Sequence, residues 1–224
     1  MTLNFKREEE VKDYLANLLL EYKFSCLSEK NQEGCDLLGT YYEQILKDLP
    51  RAMQVWERNC DERNFPTSCR KFANYLMRGS GGYKKDRARA LTLFSKACQK
   101  DDAKSCYYKG CLAYLGTKNQ PKDINIFLAS LAKACDLNDE NSCHILHKSY
   151  YLGVEIPCNA EKAYKYATIM CDKYHDFEAC GNVADFLIKG YGVEKDEKKS
   201  DAYRAKAEDL FKDLKNNQST DYTG

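Results

Sequence analysis

Along the chain, apolar residues recur at three- and four-residue intervals in short blocks separated by polar links, as in Phe72, Tyr75 and Leu76, or Val183, Phe186 and Leu187. That spacing predicts helices that bury one face. Five blocks of about ten residues carry it: Asp36 to Leu46, Arg70 to Arg78, Tyr107 to Leu115, His144 to Leu152 and Gly181 to Lys189. Four of them end on glycine (Gly79, Gly116, Gly153, Gly190), the residue that best accepts left-handed backbone after a helix. Each block leads through a short link into a second helical block, such as Asp86 to Cys98 or Glu161 to Cys171. Asp86 and Asp123 stand where N-caps belong. The first hairpin is irregular, with no glycine between Leu46 and Asp48.

Cysteines mark the same rhythm. Cys26/Cys35, Cys60/Cys69 and Cys171/Cys180 are nine residues apart, and Cys98/Cys106 and Cys135/Cys143 eight. Successive pairs begin 34, 38, 37 and 36 residues after one another, a period that predicts stacked helical hairpins. Small residues recur in two matched places. Four residues after the second cysteine stand Gly39, Ala73, Gly110, His147 and Ala184, and eight before the next first cysteine stand Ala52, Ala90, Phe127 and Ala163, with Ser200 in the last repeat. Such positions let two helices cross closely, and His147 and Phe127 depart from the rule.

The fold predicted is all-α: an α/α solenoid of about five disulfide-linked hairpins spanning 1–217. A half-repeat helix at 8–26 precedes repeats near 33–66, 67–103, 104–140, 141–177 and 178–217, and 218–224 is expected to be a disordered tail. Zinc is the competing use of paired cysteines, but its ligand pairs usually enclose two to four residues. Here seven or eight lie between partners, and pairs one repeat apart would be separated by about 10 Å, the spacing of packed helices. A cysteine ending one helix reaches one beginning the next across a short corner. Each bridge would contribute on the order of 2–3 kcal/mol through loop closure. Cys111 and Cys158 fall outside the five pairs: Cys111 reads as a buried thiol on a helix face, Cys158 as a loop thiol open to reaction or to an intermolecular bond.

Composition narrows function. Thirty-five basic and 34 acidic residues leave a net charge of +1, which gives no electrostatic reason to expect nucleic acid or an anionic membrane as partner. No apolar run approaches the roughly eighteen residues of a membrane span. Glu8, Glu9 and Glu10 precede the first apolar stretch, unlike a secretory signal or an Arg-rich presequence.

The segment CGNVADFLIKGYGVEKDEKKSDAYRAKA, from Cys180 to Ala207, resembles the Sel-1-like repeat, a tetratricopeptide-related hairpin. Cys69 to Cys98 and Cys143 to Cys171 fit the same pattern. Arrays with paired cysteines resemble two groups: secreted cysteine-rich repeat proteins of bacteria, some linked to β-lactam binding or hydrolysis, and the animal cytochrome c oxidase assembly factor 7 family. The second resemblance covers nearly the whole chain, including EEEVKDYLANLLLEYKFSCLSEKNQEGC from Glu8 to Cys35 and the irregular first hairpin. It implies a monomeric, non-catalytic factor of the mitochondrial intermembrane space, trapped there by the oxidative import machinery. Its partners would be respiratory-chain assembly proteins or cytochrome c oxidase subunits, and it would have a role in handling haem. The bacterial group supplies the alternative, a secreted β-lactamase-like hydrolase.

Candidate residues follow from both readings. His144 and His147 lie three apart on one helix, so one of them, with Met170, is the candidate haem ligand set. Against it stands a partly buried His147 bonded to the next helix. Ser130-Leu131-Ala132-Lys133 satisfies Ser-x-x-Lys, but its companion motifs are missing from the chain. Seventeen tyrosines supply the last feature. Tyr42, Tyr75, Tyr108 and Tyr151 are expected to line a partner groove, because tyrosine buries area cheaply and keeps a polar tip.

Overall fold

Asx residues start most of the helices. Asn31, Asp102, Asp139 and Asp176 accept backbone N–H bonds at the starts of first helices. Asp48, Asp86, Asp123, Asn159 and Asp196 do so at the starts of second helices. In the fourth helix Phe65-Pro66 replaces this device, proline taking a position whose N–H has no helical partner. The computed structural model describes residues 8–116, 120–153 and 155–220, with side chains through Asn216.

Eleven helices occur among the described residues: α1 (Glu8–Leu27), α2 (Gln32–Gln44), α3 (Leu49–Arg63), α4 (Pro66–Arg78), α5 (Arg87–Gln99), α6 (Ala103–Leu115), α7 (Ile124–Asp136), α8 (Glu140–Leu152), α9 (Ala160–Tyr174), α10 (Phe177–Lys189) and α11 (Glu197–Thr220). The fold is an all-helical solenoid of hairpins in which α1 precedes five pairs, from α2–α3 to α10–α11. Even-numbered helices begin three residues before the second cysteine rather than after it, so the cysteine sits inside the first turn. α11 runs to Thr220, past the helix end expected at 217. Residues 221–224 of the expected tail lie outside the described residues.

The corner between hairpins repeats the same bridge and the same backbone bond. Cys26–Cys35, Cys60–Cys69, Cys98–Cys106, Cys135–Cys143 and Cys171–Cys180 are all disulfide-bonded, with Cα atoms 4.4–4.8 Å apart. In each corner the residue before the next helix donates its backbone N–H to the carbonyl just ahead of the first cysteine. The pairs are Asn31 to Ser25, Phe65 to Asn59, Asp102 to Ala97, Asp139 to Ala134 and Asp176 to Met170, at 2.9–3.4 Å. Left-handed backbone precedes that residue every time, at Lys30, Asn64, Asp101, Asn138 and His175. Asn, Asp and His tolerate this region better than most side chains, which accounts for His175 without a ligand.

The link inside each hairpin is as regular. Asp48, Asp86, Asp123, Asn159 and Asp196 donate their N–H groups to the carbonyls of Tyr42, Leu76, Ala113, Tyr150 and Leu187, at 2.8–3.1 Å. Gly79, Gly116, Gly153 and Gly190 supply the positive φ that this path needs, and Lys47 adopts it in the first hairpin, which lacks the glycine.

Two compact units make up the chain, Met1–Phe127 and Leu128–Gly224. In the first, Leu38, Trp56, Phe72, Leu76, Phe94 and Leu112 form a continuous buried core. Trp56 lies flat against Gly39, where any Cβ would stand 2.3 Å from the indole nitrogen, and donates to the Asp36 carbonyl at 3.3 Å. Ala52, Ala73 and Ala90 are fully buried at helix crossings. α1 joins this unit through Tyr41, whose hydroxyl donates to the Leu15 carbonyl at 2.8 Å. The second unit buries Leu131, Leu146, Tyr166, Met170, Val183 and Phe186. At its matched crossings a side chain bonds to backbone: Ser200 Oγ to the Ala184 carbonyl at 2.8 Å, and His147 Nδ1 to the Ala163 carbonyl at 3.2 Å.

Candidate functional site

Because the corners and links repeat, side chains can be compared place by place. Three residues after the second cysteine stand Leu38, Phe72, Lys109, Leu146 and Val183. Four of these are core residues; Lys109 is half-buried and polar. Around it, in the first unit, α5, α6 and the start of α7 enclose a cleft of about 800 Å³. That volume lies within the range of ligand-sized clefts.

The preceding repeat shows what fills the same space. There Phe72 carries the Arg89 guanidinium over its ring at 4.9 Å and Tyr83 edge-on at 5.2 Å. Tyr83 donates its hydroxyl to Glu57, and Arg89 pairs with Glu57 at 2.6 Å. Tyr75 stacks on Trp56 at 5.9 Å and donates to Glu43. Burial, together with these carboxylates, pushes both tyrosine hydroxyls up to about 12. One repeat later the residues in the places of Phe72, Tyr83, Tyr75, Leu76 and Glu57 are Lys109, Gln120, Leu112, Ala113 and Ser95. Rings give way to side chains without them, and an acid is replaced by a neutral group.

Lys122 lies on the rim, its ammonium 4.0 Å from the Tyr114 ring centre. Arg89 also lines the cleft, and Leu91, Leu112 and Ile126 make apolar walls. The carboxylate in the lining, Asp123, is engaged as an N-cap by the Ile126 N–H at 2.9 Å. Elsewhere in this unit α1 leaves Leu20, Phe24 and Leu27 exposed on one face. No cluster of potential metal ligands occurs among the described residues. No helix among them is long and apolar enough to cross a membrane.

The residues singled out in the sequence are distributed differently. Tyr42 is buried beneath Arg51 rather than lining a groove, because its ring fills the first hairpin's core. Tyr75 and Tyr108 are half-buried in the first unit, Tyr108 against Phe94 at 5.1 Å. Tyr151, in the second unit, is 43 % exposed and stacks on His147 at 5.7 Å. The four occupy different registers of their helices, and Tyr151 belongs to the second unit.

His147 is buried with both ring nitrogens engaged. Nδ1 donates to the Ala163 carbonyl, so Nε2 is the acceptor for the Asn182 side-chain amide at 3.1 Å. Desolvation holds its pKa below the ordinary 6.5. Iron at Nε2 would have to displace Asn182, and Met170 is enclosed in the core, so this pair does not fit an axial haem site. His144 is half-buried on the same helix. Ser130 is buried, unlike a nucleophile open to substrate. Cys111 is half-buried in α6, and Cys158 is exposed with its sulfur 3.7 Å from the Tyr151 carbonyl. Lys109 is not among the residues that the sequence singles out, although it stands one residue before the small-residue place of the repeat.

Comparison with known proteins gives a consistent picture. Cytochrome c oxidase assembly factor 7A of Xenopus laevis is 36 % identical over 215 residues, covering 94 % of this chain and 93 % of that protein. The cytochrome c oxidase assembly factor 7 homolog of Drosophila melanogaster is 30 % identical over 261 residues, covering 98 % and 96 %. The crystal structure of a Sel1 repeat protein from Oxalobacter formigenes matches with a TM-score of 0.66 at 21 % identity, covering 92 % of this chain and 80 % of that one. The protective antigen c5321 of uropathogenic Escherichia coli matches at 0.67 and 15 %, covering 93 % and 49 %. These two speak for the fold alone. No family model matches the chain.

Proposed function

The chain belongs to the cytochrome c oxidase assembly factor 7 family, and we propose that it promotes assembly of cytochrome c oxidase in mitochondria by binding other proteins, without turnover. End-to-end similarity to relatives bearing that name carries the reading. We place the protein in the intermembrane space, a reading that the five disulfides support because such bonds rarely form where thiols are kept reduced. Binding rather than catalysis is supported by the surface, which offers an open cleft and an exposed apolar face on α1. The buried Ser130 and the doubly engaged His147 offer no nucleophile or free base.

Deleting the gene in its source cells and separating membrane complexes on native gels tests the role. Loss of assembled oxidase, restored by the wild-type chain, is the expected result; a normal oxidase level overturns the proposal. Protease should spare the protein in intact mitochondria and digest it once the outer membrane is ruptured. Digestion only after the inner membrane is opened overturns the compartment. Nitrocefin hydrolysis by pure protein would overturn the non-catalytic reading.

A further inference from the structure

In the cleft beside Lys109 the repeat departs from its own pattern. The cleft walls, Leu91, Leu112 and Ile126, are apolar. In the repeat before it, the matched space holds two aromatic rings and a glutamate that neutralises Arg89. Here the ring at the centre has become a lysine and the glutamate a serine, Ser95. Arg89 itself has Ile126 in its place one repeat later, so the matched positive charge moves from Arg89 to Lys109 while no carboxylate takes the place of Glu57. Lys109 forms no ion pair among the described residues, and the carboxylate of the same lining, Asp123, serves as an N-cap, whereas Lys71 and Arg70 of the preceding repeat are paired with Asp36 and Asp102. The stem of a half-buried lysine covers apolar surface while its ammonium stays toward water, so a partner that matches both carries an anion with its own apolar flank.

We propose that this cleft takes an acidic residue with an adjoining apolar side chain, presented by a partner polypeptide. The carboxylate meets Lys109 from the open side, and the neighbouring side chain occupies the space that Phe72 and Tyr83 fill one repeat earlier. A polypeptide is the occupant because the cleft opens on a chain whose role here is to bind proteins, and the proposal rests on that scaffold reading. Lys109, with Arg89 and Lys122 on the same cleft, also disfavours basic segments by like-charge repulsion.

A displayed library of random octapeptides, selected against folded, oxidised full-length protein, tests this directly. Sequences enriched on the wild type should carry Asp or Glu beside Leu, Ile or Phe. Their enrichment should fall at least about tenfold on Lys109→Leu, since removing one partner of a shielded charge pair weakens binding by that order. Lys109→Arg should retain it. Leucine already stands in this place at Leu38 and Leu146, so the variant is expected to fold, with helical circular dichroism and ten alkylation-resistant cysteines as the check. Lys109→Gln gives the same charge removal if it does not. Equal selection on wild type and Lys109→Leu, or no acidic preference on the wild type, overturns the proposal. So does Lys109-dependent binding of dodecanoate without peptide enrichment, which would make the occupant a small lipid-like acid. If peptide preference vanishes in Lys109→Leu while that variant still restores oxidase assembly, the cleft is not the assembly site and the scaffold reading stands.

Discussion

The two units use the same corners and links but hold their repeats together by different chemistry. In Met1–Phe127, charges are drawn inward. Asp36 accepts from Lys71 at 2.7 Å and from Ser68 at 2.9 Å, Asn59 bridges Ser68 and the Gln32 carbonyl, and Arg70 meets Asp102. In Leu128–Gly224 the matched interior is neutral, with His147 bonded to Ala163 and Asn182, and Ser200 to Ala184. Its ion pairs, such as Lys206 with Asp172, lie outside. Disulfides and backbone bonds set where the helices run, and so the side chains between repeats are left free to diverge. One repeat can then trade its core aromatic for a lysine without losing its corner.

The harshest way to break this comparison is to empty the core of one unit. Trp56→Ala removes a fully buried indole that packs on Gly39 and Tyr75, and should cost about 3–5 kcal/mol. Hydrogen–deuterium exchange localises the loss: amides of α2 to α5 should exchange faster while those of α8 to α10 keep their protection. Equal acceleration in both sets would mean that the units do not behave as separate cooperative bodies.

Acid sharpens the difference. All three histidines lie in the second unit. His147 is held neutral by desolvation against the pull of the Ala163 carbonyl and of Asp176, with His144 and Lys148 disfavouring its charged form further. The unfolded chain therefore binds a proton near 6.5 that the folded chain refuses, and ∂ΔG/∂pH is positive below that value. Stability from this group is complete above 6.5 and declines as pH falls below it. Asp196, its carboxyl pulled below the ordinary 3.8 by the Lys199 N–H, titrates under that window. Between pH 7.5 and 5.5 the second unit should lose stability while the urea midpoint of Trp56 fluorescence, reporting the first, stays in place. His147→Gln should flatten the response of the second unit, and an unchanged slope would assign it elsewhere.

Much of this architecture was legible because its determinants are local. Cysteine spacing, the glycines at 79, 116, 153 and 190, and the caps Asp86 and Asp123 each act within one turn of their own position. Helix starts are less legible, because the second cysteine suggests a boundary whereas the Asx cap four residues earlier begins the helix. The partner surface was less accessible to sequence reasoning. Tyr42 and Tyr151 look alike in the chain, yet the first fills a core and the second is exposed, a difference set by the neighbouring hairpin. His147 looked like a vacancy for a ligand, and only the placement of Ala163 and Asn182 shows both nitrogens engaged.

The mildest test compares two lysines that each reach across a repeat to an aspartate. Lys71 and Asp36 keep 24 % and 12 % of their side-chain surface, Lys206 and Asp172 34 % and 47 %. Removing Lys71 strands a shielded carboxylate whose remaining donor is the Ser68 hydroxyl, so Lys71→Met should cost about 1–2 kcal/mol. Removing Lys206 leaves Asp172 to water and to the Tyr203 hydroxyl, and Lys206→Met should stay within about 0.5 kcal/mol. Salt separates the two further. Raising sodium chloride to about 1 M shortens the screening length to about 3 Å and should erase the Lys206 effect, whereas the Lys71 effect, screened less by its burial, should persist. Equal costs with equal salt sensitivity would mean that both pairs are solvated alike, and the inward-drawn charge of the first unit would then contribute nothing that the exposed pairs of the second do not.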